Sequence, residues 1–277
     1  MMKLALCNEV IRELSFPAQC ELTAKLGYSG IEIAPFTLFE DSATFNEQDA
    51  ALRKQQASDA GIVISSLHWL LVKPDDLSLV SRDASVRLQT QDWLKRVIAY
   101  AHACGATALV HGSPKQRSPE NGQTVQECLD RVQETLTLLE PFARQTGVAY
   151  CLEPLSPFET PVVNTVEQAS QLVDAIQSPY IRTMLDASAS TYSESLPMAE
   201  VFEKYFLSGH IAHVQVNDHN RKGPGQGDTN LLPLFQKMKS LNYQGWVAVE
   251  PFIYEPDGPG CAAFSAGYVQ GLMKAVS

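Results

Sequence analysis

The sequence predicts a single (β/α)₈ barrel over residues 1–277, and three observations point to it. Short apolar runs rich in β-branched residues alternate eight times with longer stretches of helical period. Several helical stretches stop beside a glycine, the residue that most easily adopts the left-handed turn past a helix end. Eight such units in about 280 residues match the usual length of this barrel.

The elements of the first half follow from apolar runs and helix boundary signals. Ser15 is a plausible helix N-cap, and Gly27, Gly61, Gly105 and Gly147 stop the four helices. The predicted strands and helices, in order, are strand 3–7, helix 15–26, strand 30–34, helix 47–60, strand 63–67, helix 83–104, strand 108–111 and helix 124–146.

The second half repeats the same alternation. Its predicted elements are strand 148–152, helix 165–176, strand 181–185, helix 198–206, strand 213–216, helix 231–241, strand 246–249 and helix 262–276. A doubly wound open sheet is the structural alternative. However, the first strand runs into Cys7-Asn8-Glu9 without the glycine-rich phosphate turn typical of that fold.

Composition excludes several classes of function. Lys plus Arg is 21 and Asp plus Glu is 31, so the formal net charge is −10, and such a chain is poorly suited to binding nucleic acid. The sequence has neither a signal-peptide core nor an apolar run long enough to span a membrane, so we expect a cytoplasmic protein. The six cysteines lack zinc-like spacing, and we expect them to be buried free thiols.

Acidic residues follow three of the last four strand candidates. Glu153, Asp186 and Glu250 each stand at or just beyond the carboxyl end of a strand, the end where barrel enzymes build their sites. Carboxylates crowded at one rim repel each other, and a divalent cation relieves that repulsion. On the strand between Asp186 and Glu250, His213 and Gln215 point to one face, and either is a candidate fourth ligand.

The ligand set Glu153, Asp186, Gln215 and Glu250 would be all oxygen. Oxygen ligands suit Mn²⁺ or Mg²⁺, with Co²⁺ possible, whereas Zn²⁺ prefers nitrogen and sulfur. The sequence therefore predicts one divalent ion at this rim, with Mn²⁺ or Mg²⁺ favoured.

Several other residues near strand ends are candidates for substrate binding. His68 and His111 are candidates for proton transfer or for binding a hydroxyl group. Arg221 and Lys222 begin a glycine-rich loop that carries positive charge toward the predicted rim. Aromatic side chains that could wall the pocket are Trp69, Phe158 and Phe252. We expect a small sugar-like substrate as the partner.

These residues carry a family resemblance over essentially the whole chain. Cys151-Leu152-Glu153-Pro154-Leu155, Met184-Leu185-Asp186, His213-Val214-Gln215 and Val249-Glu250-Pro251-Phe252 resemble the sugar phosphate isomerase/epimerase family of xylose isomerase-like TIM barrels. The resemblance to its ketose 3-epimerases implies metal ligation by Glu153, Asp186, Glu250 and the residue at position 215. Hydroxypyruvate isomerase relatives are similar in using Gln there. The resemblance also implies a substrate contact or supporting role for Glu159.

The chain departs from the family pattern at one position, and a second family offers a competing resemblance. Many members of the family have a substrate-contacting His three residues after the strand-six Asp, where this chain has Ala189. Endonuclease IV shares the fold, and His68 and His111 resemble two of its metal ligands. That reading is disfavoured because Gln215, Ala189 and Asn230 replace expected histidines.

The resemblance implies a sugar isomerase or epimerase that acts through a metal-stabilised enediolate. Glu153 and Glu250 would remove and return the proton. The alternative is a metal-dependent dehydratase of a keto-polyol or dehydroshikimate-like substrate. A third reading is a binding protein that has lost turnover. Pairing of barrels into a homo-oligomer is possible, but no apolar stripe in the sequence requires it.

Overall fold

The structure, a computed structural model, describes residues 2–120 and 122–276. Within these residues, parallel strands β1 to β8 close into a barrel in sequence order, and β8 pairs with β1. The barrel expected from the sequence is confirmed. The strands are Lys3–Cys7, Gly30–Ile33, Val63–Leu67, Ala108–His111, Ala149–Leu152, Ile181–Asp186, Ile211–Val216 and Trp246–Val249.

Helices surround this barrel and connect its strands. Helices α1 to α5 are Phe16–Lys25, Glu47–Asp59, Ala84–Cys104, Pro114–Arg117 and Val125–Thr146. Helices α6 to α10 are Val166–Asp174, Ala187–Ser193, Met198–Leu207, Leu232–Ser240 and Gly258–Ala275. The short helices α4 and α7 were not predicted. Helix α10 begins four residues before its predicted start, and the Asp257 side chain accepts a hydrogen bond from the Gly260 amide at this end.

Apolar side chains fill the space between barrel and helices, while the barrel interior is mixed. Alternate residues of each strand face inward, so a small apolar cluster of Ala108, Val110, Cys151 and Met184 forms one inner layer. The inward positions nearer the carboxyl ends of the strands are polar. The fold thus places its buried polar groups together at one end of the barrel.

Two register shifts occur close to these polar groups. One lies between Ile31 and Glu32 in the β2–β3 pair, and the other lies between Thr183 and Met184 in the β6–β7 pair. After the second shift Asp186 pairs with Gln215, so the two side chains leave adjacent strands on the same face. Such irregularities commonly redirect side chains near active sites.

Among the described residues, no helix has the length and apolar character needed to cross a bilayer. The six cysteines are free and buried, as expected from their spacing.

Candidate active site

Three buried carboxylates meet at the carboxyl end of the barrel. Glu153 follows β5, Asp186 ends β6 and Glu250 follows β8, and each offers an oxygen within 4.8 Å of the others. Their exposed fractions are 7%, 5% and 3%. The structure therefore brings together the three acidic residues that the sequence singled out.

Burial and mutual repulsion disfavour the charged forms of this carboxylate triad. Burial raises the pKa of Glu153 well above its ordinary value, and the charges of Glu250 and Asp186 raise it further. Burial likewise raises the pKa of Glu250 to about 8 and that of Asp186 to about 6. Because a bound divalent cation stabilises ionised carboxylates, the donor chemistry of this triad fits such an ion.

Asp186 is held in place by two neighbours. Its Oδ1 accepts from the Ala189 amide at 2.7 Å, and its Oδ2 accepts from Nδ2 of Asn217 at 3.0 Å. Asn217 also donates to the Glu250 carbonyl at 3.1 Å and so links the ends of β6 and β8. Sequence reasoning missed Asn217, although its position two residues after Gln215 was a signal that it shares the inward face.

Glu250 is held by a buried histidine. Nδ1 of His68 lies 2.9 Å from Oε1 of Glu250, and Nε2 of His68 lies 3.0 Å from Oε2 of Glu9. Burial alone would lower the pKa of His68, but the charges of Glu9 and Glu32 and two hydrogen bonds raise it well above its ordinary value. The neighbouring acidic groups thus favour the protonated form of the His68 ring. Glu9 was missed because it lies in a 3₁₀ turn beyond the first strand.

The two candidates for a fourth ligand lie at different depths. Gln215 pairs in register with Asp186, whereas His213 pairs with Met184, one inward position deeper in the barrel. Both side chains contact the buried carboxylate of Glu32, through Nε2 of Gln215 at 2.6 Å and Nε2 of His213 at 2.8 Å. The Oε1 atom of Gln215 is buried without a hydrogen-bond partner among the described residues. This geometry favours Gln215 over His213 at the level of the triad.

Glu32 lies within a strand, a position from which the sequence alone did not indicate its many contacts with polar groups. Burial alone would raise its pKa, but the charges of His213 and His68 and a hydrogen bond from Ser66 hold the pKa of Glu32 below its ordinary value. Its carboxylate is therefore ionised inside the barrel.

Aromatic and charged side chains border the opening above the triad. Trp69 and Phe252 line this pocket with ring centroids 6.1 Å apart. The Arg221 guanidinium lies 4.0 Å from the Phe252 ring centroid, and its Nη1 lies 3.2 Å from Oε1 of Glu159. The pocket is lined further by Pro114, Leu155 and Glu159, together with Glu153 and Glu250. The opening thus offers an apolar wall beside a cation and a carboxylate.

Three of the residues singled out by the sequence lie away from this pocket. The His111 ring contacts the Tyr150 hydroxyl, on the outward face of its strand, because the adjacent Val110 and Gly112 face inward. Lys222 forms an ion pair with Glu255 at 2.6 Å. Phe158 is 84% exposed. The structure therefore does not place His111, Lys222 or Phe158 with the groups that face the pocket.

Arg117 is a third group that the sequence analysis did not assign to the site. It is fully buried, and its guanidinium donates to the carbonyls of His111 and Val163 at 3.4 and 3.2 Å. Burial lowers the pKa of Arg117 to about 10, while the charges of Glu153 and Glu159 act against that change. Arg117 therefore supplies buried positive charge close to the carboxylate triad.

Gly112 makes room for one member of the triad. A Cβ atom at this position would overlap Oε2 of Glu153. We expect Gly112→Ala to displace the Glu153 carboxylate and to lower kcat/KM by about 100-fold, because small misplacements of reacting groups have effects of that size. The measurement is steady-state turnover of the sugar-like substrate expected from the sequence.

Gly271→Ala is the matched control for this prediction. Among the described residues, and apart from the adjoining residues and helix backbone, no atom lies within 4 Å of the Cβ that it adds on α10, so its turnover should equal that of the wild type. Wild-type turnover in Gly112→Ala would show that Glu153 need not occupy its observed position.

Comparison with known proteins identifies the family. A profile of the xylose isomerase-like TIM barrel family matches residues 20–268. The chain belongs to that family. The resemblance drawn from the sequence is thereby confirmed.

Curated relatives in this TIM-barrel family are named as sugar epimerases. The chain is 30% identical over 233 residues to D-psicose 3-epimerase of Enterocloster bolteae, covering 83% of this chain and 74% of that protein. It is 26% identical over 231 residues to a probable ketose 3-epimerase of Synechocystis, covering 83% and 76%. These relatives support an enzyme of the sugar isomerase and epimerase class.

Solved structures agree at the level of the fold. The D-psicose 3-epimerase of Clostridium cellulolyticum H10, determined with D-tagatose, superposes with a TM-score of 0.82 at 19% identity, covering 99% of each chain. At that identity the match establishes the shared barrel alone.

Proposed function

We propose that this protein is a divalent-metal-dependent epimerase or isomerase of a keto sugar or a keto-sugar derivative. The observation that carries the proposal is the convergence of Glu153, Asp186 and Glu250 within 4.8 Å at the barrel mouth. The sugar 3-epimerases among its relatives support the same class of substrate.

Four side chains would hold the metal ion: Glu153, Asp186, Gln215 and Glu250. Their oxygens form the hard donor set that suits Mn²⁺ or Mg²⁺, with Co²⁺ possible. Two of these oxygens, Oε1 of Gln215 and Oε2 of Glu250, are buried without a hydrogen-bond partner among the described residues. When bound, the ion would supply electrophilic polarisation of the substrate carbonyl.

The two glutamates would move the proton. One carboxylate takes the proton from the carbon beside the carbonyl. The electron pair of the broken C–H bond forms the carbon–carbon double bond of an enediolate, and the π pair of the carbonyl moves onto its oxygen. The other glutamic acid returns a proton. Return to the opposite face of the same carbon inverts that centre and restores the original carbonyl. Return to the former carbonyl carbon moves the carbonyl group, provided that the hydroxyl proton on the neighbouring oxygen passes to the former carbonyl oxygen. Since Glu153 and Glu250 leave well-separated strands, β5 and β8, they can address opposite faces of one carbon.

The border of the pocket would select and orient the sugar. Trp69 and Phe252 offer ring faces for the apolar side of a sugar, while Glu159 and Arg221 can exchange their mutual ion pair for substrate hydroxyl groups. Ala189 leaves no side-chain donor where many relatives have His. The sugar oxygen bound by that His would thus be bound differently here.

Proton exchange in D₂O tests the proposal. The protein is stripped with EDTA, reloaded with Mn²⁺ and incubated with ketoses, keto acids and keto-polyols, and each pool is followed by NMR and mass spectrometry. We expect deuterium to enter one carbon beside the carbonyl of a keto sugar, with no loss of water. Exchange should cease in EDTA and return with Mn²⁺.

Other outcomes distinguish the alternatives. A product lighter by one water would establish the dehydratase, and ligand binding without exchange would establish a binding protein. A wild-type protein that binds no divalent ion would contradict the proposed site. A cytoplasmic location and self-association remain predictions from the sequence.

A further inference from the structure

Glu32 has no role in the proton transfer proposed above, yet it is one of the most completely buried charged groups in the described chain. It lies in β2 and is 0% exposed. Its Oε1 accepts from Sγ of Cys7 at 3.1 Å and from Nε2 of Gln215 at 2.6 Å. Its Oε2 accepts from the Ser66 hydroxyl and lies 2.8 Å from Nε2 of His213. Several donors thus converge on one carboxylate.

The contact with Glu32 determines the orientation of the Gln215 side-chain amide, that is, whether its NH₂ group or its oxygen faces Glu32. A carboxylate surrounded by donors can only accept, so the amide group that contacts it must be the NH₂ group. The opposite atom, Oε1 of Gln215, is then directed away from Glu32. That atom is buried and has no hydrogen-bond partner among the described residues.

The strand register directs that oxygen to the level of the carboxylate triad. Gln215 pairs with Asp186 on one side and with Ala248 on the other. Glu250 lies two residues beyond Ala248 and therefore on the same face of its strand. Gln215 is consequently flanked by two of the three acidic groups.

We propose that Glu32 is a positioning residue that holds the Gln215 amide with its oxygen toward the carboxylate triad. The inference rests on the proposed metal site and deepens it. Without Glu32 the amide can rotate and present its NH₂ group, which cannot ligate a cation. Glu32 therefore sets the donor atom at the fourth position and keeps the site all oxygen.

The size of the effect follows from other metal sites. Groups that orient a ligand through a hydrogen bond typically change metal affinity by about 10- to 100-fold when removed. We expect Glu32→Gln to weaken Mn²⁺ binding by about that factor, because a neutral amide at position 32 tolerates either orientation of Gln215.

Calorimetric Mn²⁺ titration of the full-length metal-free protein tests this with a double-mutant cycle. Gln215→Met removes the amide but keeps the length of the side chain. In that background Glu32→Gln should change affinity by no more than about twofold, since Glu32 acts through Gln215. Glu203→Gln is the matched control, because it makes the same chemical change on the outer helix α8, where Glu203 pairs with Lys237. It should retain wild-type affinity to within about twofold.

Two results would overturn the inference. One is an Mn²⁺ affinity in Glu32→Gln equal to that of the wild type. The other is that Glu32→Gln lowers the Mn²⁺ affinity as much in the Gln215→Met background as in the wild type, which would show that Glu32 acts through the barrel as a whole. In both cases the wild type still binds Mn²⁺, so the proposed function stands while the role of Glu32 fails.

A metal-free measurement keeps the inference testable if the wild type binds no ion or if Glu32→Gln does not fold. NMR of the wild-type protein resolves the side-chain amide protons of Gln215, assigned by their absence in Gln215→Met. We expect protection from solvent exchange and nuclear Overhauser contacts to Cys7, which donates to the same oxygen of Glu32. Contacts to the side chain of Glu250 instead would show the reverse orientation and overturn the inference.

Discussion

Glu250→Gln should lower the rate of deuterium exchange into the substrate by about 10²- to 10⁴-fold, the range associated with loss of a positioned acid or base. The amide retains the size of the side chain but cannot accept the proton. It also removes one negative charge from the carboxylate triad, so Mn²⁺ affinity should fall in the same variant. Measuring exchange in D₂O at saturating Mn²⁺ separates the two effects. Added Mn²⁺ restores occupancy of the metal site despite the weaker affinity, but it does not replace the lost base.

Glu203→Gln is the matched control for Glu250→Gln. The same chemical change is made on the outer helix α8, where Glu203 pairs with Lys237 at 2.7 Å, and the exchange rate should stay at the wild-type value. Substantial exchange by Glu250→Gln at saturating Mn²⁺ would remove Glu250 from the proton-transfer pair.

The metal-free protein should lose stability as the pH rises through neutrality. Burial raises the pKa of Glu250 to about 8 and that of Asp186 to about 6, whereas the unfolded chain has ordinary carboxyl values of about 4. Between those values the folded state holds protons that the unfolded state has released. The free energy of unfolding therefore contains a contribution that is complete below about pH 4 and is lost as the pH approaches and passes 8.

Bound Mn²⁺ should reverse this loss, because it favours the ionised carboxylates. At a concentration of about 100 times Kd we expect Mn²⁺ to raise the unfolding midpoint by roughly 5–10 °C at about pH 8.5, and by less at about pH 5.5. Thermal unfolding of EDTA-treated and Mn²⁺-loaded samples measures both values. Glu250→Gln removes one titrating group and should flatten the pH dependence. A metal-free protein that becomes steadily more stable from pH 5.5 to 8.5 would contradict the prediction.

The fold was readable from the sequence because buried parallel strands are apolar runs that end abruptly. Strands β1, β3, β4 and β8 were predicted with the observed bounds. The sequence predicts the end of strand β6 one residue before Asp186, because a carboxylate at a strand end is typical of the start of a loop. Strand β7 was begun two residues late, at His213 rather than Ile211.

Site residues could be predicted from the sequence where the residue type alone was informative. They could not be predicted where membership of the site depends on which way the side chain points. Glu153, Asp186 and Glu250 stood out because acidic residues rarely follow apolar runs on several strands by chance. His111 looked equally suitable, but the inward positions on β4 belong to Val110 and Gly112. Glu9 and Arg117 lie outside the strands, in a 3₁₀ turn and in a four-residue helix, and no strand pattern reports their direction.

Closure of the barrel has a consequence for the order in which this protein acquires its site. Residues 3–6 pair with residues 246–249, and His68 lies between Glu9 after the first strand and Glu250 after the last. During synthesis the eighth strand leaves the ribosome after the other seven strands. Until then Glu153 and Asp186 lack their third carboxylate, and the barrel has two unpaired edges. Only molecules with a closed barrel would therefore bind a metal ion with high affinity. Release of the ion would indicate that the pairing of the first and last strands has broken.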